Sequence, residues 1–278
     1  WAMGQEGLEH MIREHFVSME PMPEAIHSEL RLWWLRYLYV GGMPAAVRKY
    51  LEEKSLVNVP EVQSLIVNAY TADMAKYASE SESTRIRGAY LSLPAQLAKE
   101  NKKFRYKLIR KGATAGMFGD SIMWLHMAGV AIQSDLATVG ELPLAAFRDV
   151  SAFKLYLSDV GLLCACANLV PENVLRDELS GVYKGALTEN YVAQTLKAAG
   201  YELYYWTSDA PAAEVDFVIQ INGRVIPVEV KYDTGVRSKS LREFCRRYAP
   251  EYALRVSGKN FGEEEGIRSN PLYAANSI

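Results

Sequence analysis

Apolar and polar positions alternate through Glu214–Lys231, the run EVDFVIQINGRVIPVEVK, and the pattern pauses at Asn222-Gly223. Side chains along a strand repeat every second residue, and Asn-Gly readily takes the positive φ angles of a two-residue hairpin turn. The run therefore predicts a β-hairpin. Upstream, Tyr183–Ala199 has helical spacing, with Glu189 on the face of Val192, Ala193 and Leu196. A strand is predicted through Tyr201–Thr207, a helix over Ser238–Tyr248 and a strand at Tyr252–Ser257.

The first half reads as mainly helical. An amphipathic helix runs to about Phe16, and a second carries Leu30, Trp33, Trp34 and Leu38 into Val40-Gly41-Gly42-Met43-Pro44. Gly-Gly-x-Pro punctuates the chain, and helical spacing resumes over Ala45–Glu53. Further helices are predicted at Glu61–Tyr77, Arg85–Lys99, Phe104–Ile109 and Asp120–Ala128. A two-stranded wing would follow through Val130–Leu136 and Leu144–Phe147, bridged by Gly140 and Pro143, giving a winged-helix-like unit. Its recognition helix, Ser121–Met127, has almost no polar side chains for base edges and reads as a core helix.

The hairpin raises a chemical question. If Ile221 faces Arg224, counting back sets Asp216 opposite Glu229 and Glu214 opposite Lys231. Carboxylates facing each other at roughly 5 Å between β-carbons repel. A divalent cation between them would reverse the sign. The alternative is a solvated face on which Lys231 pairs with Glu214.

Composition narrows the field by exclusion. A net charge of −2 gives no global field toward nucleic acid or membrane. No apolar run reaches the length of a membrane span, and no secretory signal opens the chain. Three cysteines without a C-x-x-C pair make neither a disulfide framework nor a zinc site, which fits a reducing cytoplasm. Basic charge is local instead. Lys99, Lys102, Lys103, Arg105, Lys107, Arg110 and Lys111 crowd one stretch with Glu100 as its only acid, and Phe104 and Tyr106 interleave. Such a cluster would neutralise phosphates without reading sequence, or it is a solvated face or a contact for an acidic partner domain. A second group, Arg237, Lys239, Arg242, Arg246 and Arg247, follows the hairpin and would make a phosphate track beside it.

Asp216, Glu229-x-Lys231 and the order of elements around them resemble the PD-(D/E)XK, or restriction-endonuclease-like, nucleases with their αβββαβ core. Val215 stands where the motif has Pro. The resemblance implies Mg²⁺ held by Asp216 and Glu229, with Glu189 as a further acidic ligand from the first helix. Lys231 would orient the attacking water or stabilise charge on the phosphate.

A wider resemblance covers nearly the whole chain. YVGGMPAAV, YTADMAKY, LAKENKKF, FKLYLSDVGLL, GALTEN, AEVDF and PVEVK occur in this order in a family of bacterial and archaeal AAA-type P-loop ATPases. Their C-terminal region, of unknown function, ends in the endonuclease-like module. No G-x-x-x-x-G-K-[ST] occurs here, so ATP would bind only in a missing N-terminal domain, for which Trp1–Phe16 is a remnant or connector. Leu155–Asp159 mimics a Walker B strand but, without a P-loop, reads as an ordinary strand.

The sequence thus implies an α plus α/β chain in three parts: a helical connector (1–59), a winged-helix-like domain (60–150) and a nuclease-like domain (151–278). The leading function is a nucleic-acid-acting effector of an ATPase in cis, with DNA or RNA as partner and candidate Mg²⁺-dependent hydrolysis at Glu189, Asp216, Glu229 and Lys231. The alternative is an inactive nuclease-like module that docks protein or nucleic acid. Lys102, Lys103, Arg105, Lys107, Arg110, Lys111, Lys239 and Arg242 are the candidate nucleic-acid contacts.

Overall fold

The computed structural model describes residues 3–76, 79–209, 212–234 and 238–278. Trp1, Tyr77 and Arg237, assigned above to a connector, a helix end and a basic group, lie outside the described residues. Among the described residues the chain is a mixed α/β protein with eleven α-helices and an eight-stranded mixed sheet.

The helical first half comprises α1 (Glu6–Ser18), α2 (Glu24–Val40), α3 (Pro44–Glu53), α4 (Val59–Asp73), α5 (Glu80–Leu91), α6 (Leu93–Leu97) and α7 (Ala115–Met127). Strands β1 (Ala131–Ala137) and β2 (Arg148–Leu157) follow, then α8 (Val160–Cys166), α9 (Pro171–Leu175) and α10 (Gly181–Ala198). The last part runs β3 (Tyr204–Ser208), β4 (Ala213–Ile221), β5 (Arg224–Val230), α11 (Lys239–Tyr248), β6 (Ala253–Ser257), β7 (Gly262–Glu264) and β8 (Ile267–Pro271). The strands lie in the order β2-β1-β3-β4-β5-β6-β8-β7.

Packing divides the chain into two compact units, and neither is a continuous stretch. One comprises residues 1–34, 134–153 and 195–278, the other 35–133 and 154–194. In the first, α11 lays Leu241 and Phe244 on the sheet against Trp206, Val218, Ala253 and Ile267. Burial of each such side chain contributes about 1.5–3 kcal/mol. Phe244 meets the Trp206 indole edge-on at 5.2 Å between ring centroids. A smaller cluster joins Leu8, Met11 and Phe16 of α1 to Met22, Leu30, Phe261 and Ala274. The amide of Asn260 clamps Met22 there, accepting its N–H at 2.9 Å and donating to its carbonyl at 2.8 Å.

The second unit packs α4 against α8 and α5 against α7, burying Tyr39, Tyr90, Leu93, Leu97, Phe118 and Leu125. Helix α5 begins at Glu80, ahead of the expected Arg85, because Ser79 and Glu82 form a capping box that satisfies amide donors at its start. Pro94, which has no N–H, stands at the start of the separate short helix α6, so the expected single helix to Lys99 is two.

Two expected elements differ. Phe104–Ile109 is not an α-helix: only Tyr106–Leu108 turn, as a 3₁₀ segment. The Gln96 amide takes both the N–H and the carbonyl of Arg105, each at 3.0 Å, and Arg105 is extended. Leu144–Phe147 is a 3₁₀ turn closed by the Ala146 N–H on the Pro143 carbonyl, and the strand starts at Arg148. The first expected wing strand is β1, but it pairs in parallel with β3, Asp135 aligned with Tyr204, as part of the main sheet.

Candidate functional site

The hairpin forms at Asn222-Gly223, whose φ angles are 48° and 75°, as a two-residue turn of this handedness requires. Ile221 pairs with Arg224, and the ladder runs inward to Phe217 and Val228. One step further in this register are Asp216 and Glu229. Beside them β4 bulges against β3: Tyr204 and Trp206 of β3 align with Val218 and Val215 of β4, three residues apart. The Asp216 carboxylate accepts the Val230 N–H at 2.8 Å.

Lys231 completes this constellation. Its Nζ lies 2.8 Å from Glu229 Oε1 and 4.0 Å from Asp216 Oδ2. Both carboxylates are buried. The neighbouring strand adds a residue absent from the sequence-derived set. Arg255 of β6 is in register with Glu229 and therefore on the same face, and its Nε donates to Ser238 Oγ at 2.9 Å. Its signal is a charge in the middle of the apolar run Ala253–Ser257.

Glu189 belongs to the other unit, on α10. Its carboxylate is buried and engaged on both oxygens: Oε2 by the Lys102 ammonium, Oε1 by Lys154 Nζ at 3.2 Å and by the Tyr156 hydroxyl at 2.5 Å. Burial alone would raise its pKa. The two ammoniums and the hydroxyl outweigh that and hold the carboxyl below its ordinary range.

Lys154 is a fully buried lysine, and together with Lys102 it gives two positive charges to one carboxylate. Lys102 arrives there because its segment is extended. Lys103 forms an antiparallel bridge with Lys154, so side chains alternate: Lys102 and Phe104 point inward, Lys103 and Arg105 outward.

The next residues on α10 hold the end of β2. Asn190 pairs with Leu157 as another strand would, accepting its N–H at 2.9 Å and donating to its carbonyl at 3.0 Å. Gln194 accepts the Val160 N–H at 2.8 Å and donates to Asp159. Asp159 caps α8 through the Leu162 N–H and also accepts the Gly42 N–H at 2.6 Å. Burial raises its pKa against these bonds. Its roles are structural, as expected for an ordinary strand end.

The other candidate contacts are exposed. Lys103, Arg105, Lys107, Arg110 and Lys111 face solvent, with Arg110 over the Phe118 ring at 5.5 Å. Lys239 and Arg242 are exposed on α11, where Arg242 pairs with Glu265 and Arg246 and Arg247 both pair with Glu243. Two carboxylates thus offset two of the four described charges in that track.

Among the described residues, no group of three or more His, Cys, Asp or Glu side chains is arranged to hold a metal ion. Nor is any helix among them long and apolar enough to cross a membrane.

Comparison with family models places residues 31–173, more than half of the chain, in Domain of unknown function (DUF8612). The chain belongs to this family. Residues 184–274 match a second, Domain of unknown function (DUF4143), which commonly follows AAA ATPase domains in bacterial proteins. The DUF8612 match contains Gly41, Gly42, Lys102, Lys154 and Asp159, and the DUF4143 match contains Glu189, Asp216, Glu229, Lys231 and Arg255. No curated protein and no solved structure matches the chain.

Proposed function

We propose that this chain is a nuclease-like module serving an AAA-type ATPase, and that it binds nucleic acid without hydrolysing it. The observation that carries this reading is the occupation of Glu189 by Lys102, Lys154 and Tyr156. A carboxylate meant for Mg²⁺ needs oxygen lone pairs free for the metal. Here two ammoniums take that place, and one of them is fully buried. Lys231 likewise binds Glu229, and Asp216 is spent partly on a backbone amide. As arranged, these side chains do not make a metal shell.

The nuclease-like part of the proposal is supported by the order α10-β3-β4-β5-α11-β6, the αβββαβ order of the restriction-endonuclease-like core. The link to an ATPase in cis is supported by the DUF4143 match. For binding, the exposed Lys103, Arg105, Lys107, Arg110 and Lys111 supply charge against phosphates.

A second reading, Mg²⁺-dependent phosphodiester hydrolysis, is favoured by one observation: Lys231 Nζ lies 2.8 Å from Glu229 and 4.0 Å from Asp216, which gathers both acids around one ammonium. Those two acids would be the hairpin's metal ligands, and the metal would supply Lewis-acid activation of the phosphate.

Fluorescence anisotropy with labelled single- and double-stranded DNA and RNA, in EDTA and in Mg²⁺, separates the two. The binding reading expects binding that needs no metal and so persists in EDTA, with intact probe in both buffers. Probe cleaved only in Mg²⁺ would overturn it, as would the absence of binding to every probe.

A further inference from the structure

Arg255 is a charge that the fold does not explain. It sits in β6 between Leu254 and Val256, both buried, and only 9% of it is exposed. Among the described residues no carboxylate pairs with it, and its one side-chain hydrogen bond is from Nε to Ser238. The acid aligned with it, Glu229 on the same face, is held by Lys231, so among the described residues Arg255 has no ion pair of its own. The two terminal nitrogens of its guanidinium remain to be used.

What lies beside it is suited to an anion. Ser238 is the residue before α11, a helix of 10 residues, and its side chain caps no helix amide. It accepts from Arg255 instead. Ser238 therefore leaves the electropositive first N–H groups of α11 uncapped by its side chain. Lys231 stands on the same sheet face as Arg255, two residues beyond the aligned Glu229. A guanidinium with no ion pair among the described residues, helix amides that Ser238 leaves uncapped and a nearby ammonium are elements from which phosphate sites are made.

We infer that Arg255, oriented by Ser238 at the start of α11, binds a phosphate group of a nucleic-acid strand. The inference rests on the nucleic-acid-binding reading above and gives it a second, buried contact besides the exposed basic stretch. Arg is suited to the role because its planar fork would give two parallel hydrogen bonds to phosphate oxygens while Nε stays on Ser238.

The test is calorimetric titration of the whole chain and of Arg255→Gln and Arg255→Lys with inorganic phosphate, followed by phosphate competition against a labelled oligonucleotide. Saturable binding is expected for the native chain, at least about tenfold weaker in Arg255→Gln and intermediate in Arg255→Lys. Phosphate should displace the oligonucleotide from the native chain. Should Arg255→Gln fail to fold, Ser238→Ala, which removes only the orienting hydroxyl, should still weaken phosphate binding several-fold. Equal phosphate affinity in native and variant chains, or no phosphate binding by the native chain, would overturn the site. Arg255-dependent phosphate binding that leaves the oligonucleotide in place would overturn its assignment to nucleic acid. Failure of the oligonucleotide to bind at all is a different result, and it would strike the proposed function itself.

Discussion

The carboxylate of Asp159 accepts the Gly42 N–H at 2.6 Å, and Gly41 beside it has φ +74°. A β-carbon on Gly41 would fall onto the Asp159 carboxylate, and one on Gly42 would lie 2.8 Å from the Tyr37 hydroxyl. This contact explains why the Gly-Gly punctuation and the Leu-Ser-Asp strand end, 117 residues apart, belong to one structural device. Gly41→Ala is expected to cost the left-handed backbone penalty of about 1–2 kcal/mol plus the displacement of a buried carboxylate. Urea unfolding should show a loss of at least about 2 kcal/mol, and a loss below half of that would refute the close approach.

Lys154 and Glu189 offer a double-mutant cycle. Removing one partner of a buried pair costs about 3–5 kcal/mol, because the other charge is left uncompensated. Here Lys102 still faces Glu189, so Lys154→Met alone should cost less than Glu189→Met, which strands two ammoniums. The double variant Lys154→Met/Glu189→Met should recover part of the loss. Strict additivity would mean that the pair does not interact.

The pH dependence follows from the same carboxylate. Glu189 is held below its ordinary value of 4.5 in the folded chain, so it binds fewer protons there than in the unfolded chain. Its stabilisation is present above about pH 4.5 and is lost as pH falls through the folded value. Glu189→Gln should flatten the unfolding free energy across that acid window. An unchanged acid slope in the variant would contradict the assignment.

Reversing the exposed charges in Lys103→Glu/Lys107→Glu/Lys111→Glu should weaken oligonucleotide binding for all sequences alike. The slope of log affinity against log salt should shrink by about one unit for each phosphate that is no longer neutralised. Lys102→Glu should act differently: it places a carboxylate against Glu189 and should lower stability before it changes the salt slope. Anisotropy across a salt series, with thermal melts of the same samples, distinguishes the two.

These residues also mark how far the sequence can be read. The hairpin, α10, α11 and β6 are legible because period and turn chemistry are local, and Asn222-Gly223 fixes the register from Ile221 onward. The bulge at Asp216 is not legible, since it arises where β4 meets β3 rather than within the hairpin. Lys102 falls between the helices expected at Arg85–Lys99 and Phe104–Ile109 and reads as one more surface charge. The grip of Gln96 on Arg105, nine residues away, makes the segment extended and alternates its side chains. Lys154, in the run Phe153–Leu157, is hidden by its neighbours, although a charge inside a buried apolar strand is the signal for both it and Arg255.

The central claim is that lysines, not a metal, balance these carboxylates. Calorimetric titration of the native chain with Mg²⁺ and with Mn²⁺ tests it most directly. The account expects no saturable binding of either ion at millimolar concentration, with Asp216→Ala and Glu229→Ala indistinguishable from the native chain. Saturable binding that both substitutions abolish, with metal-dependent cleavage of the labelled probes abolished alongside it, would contradict it.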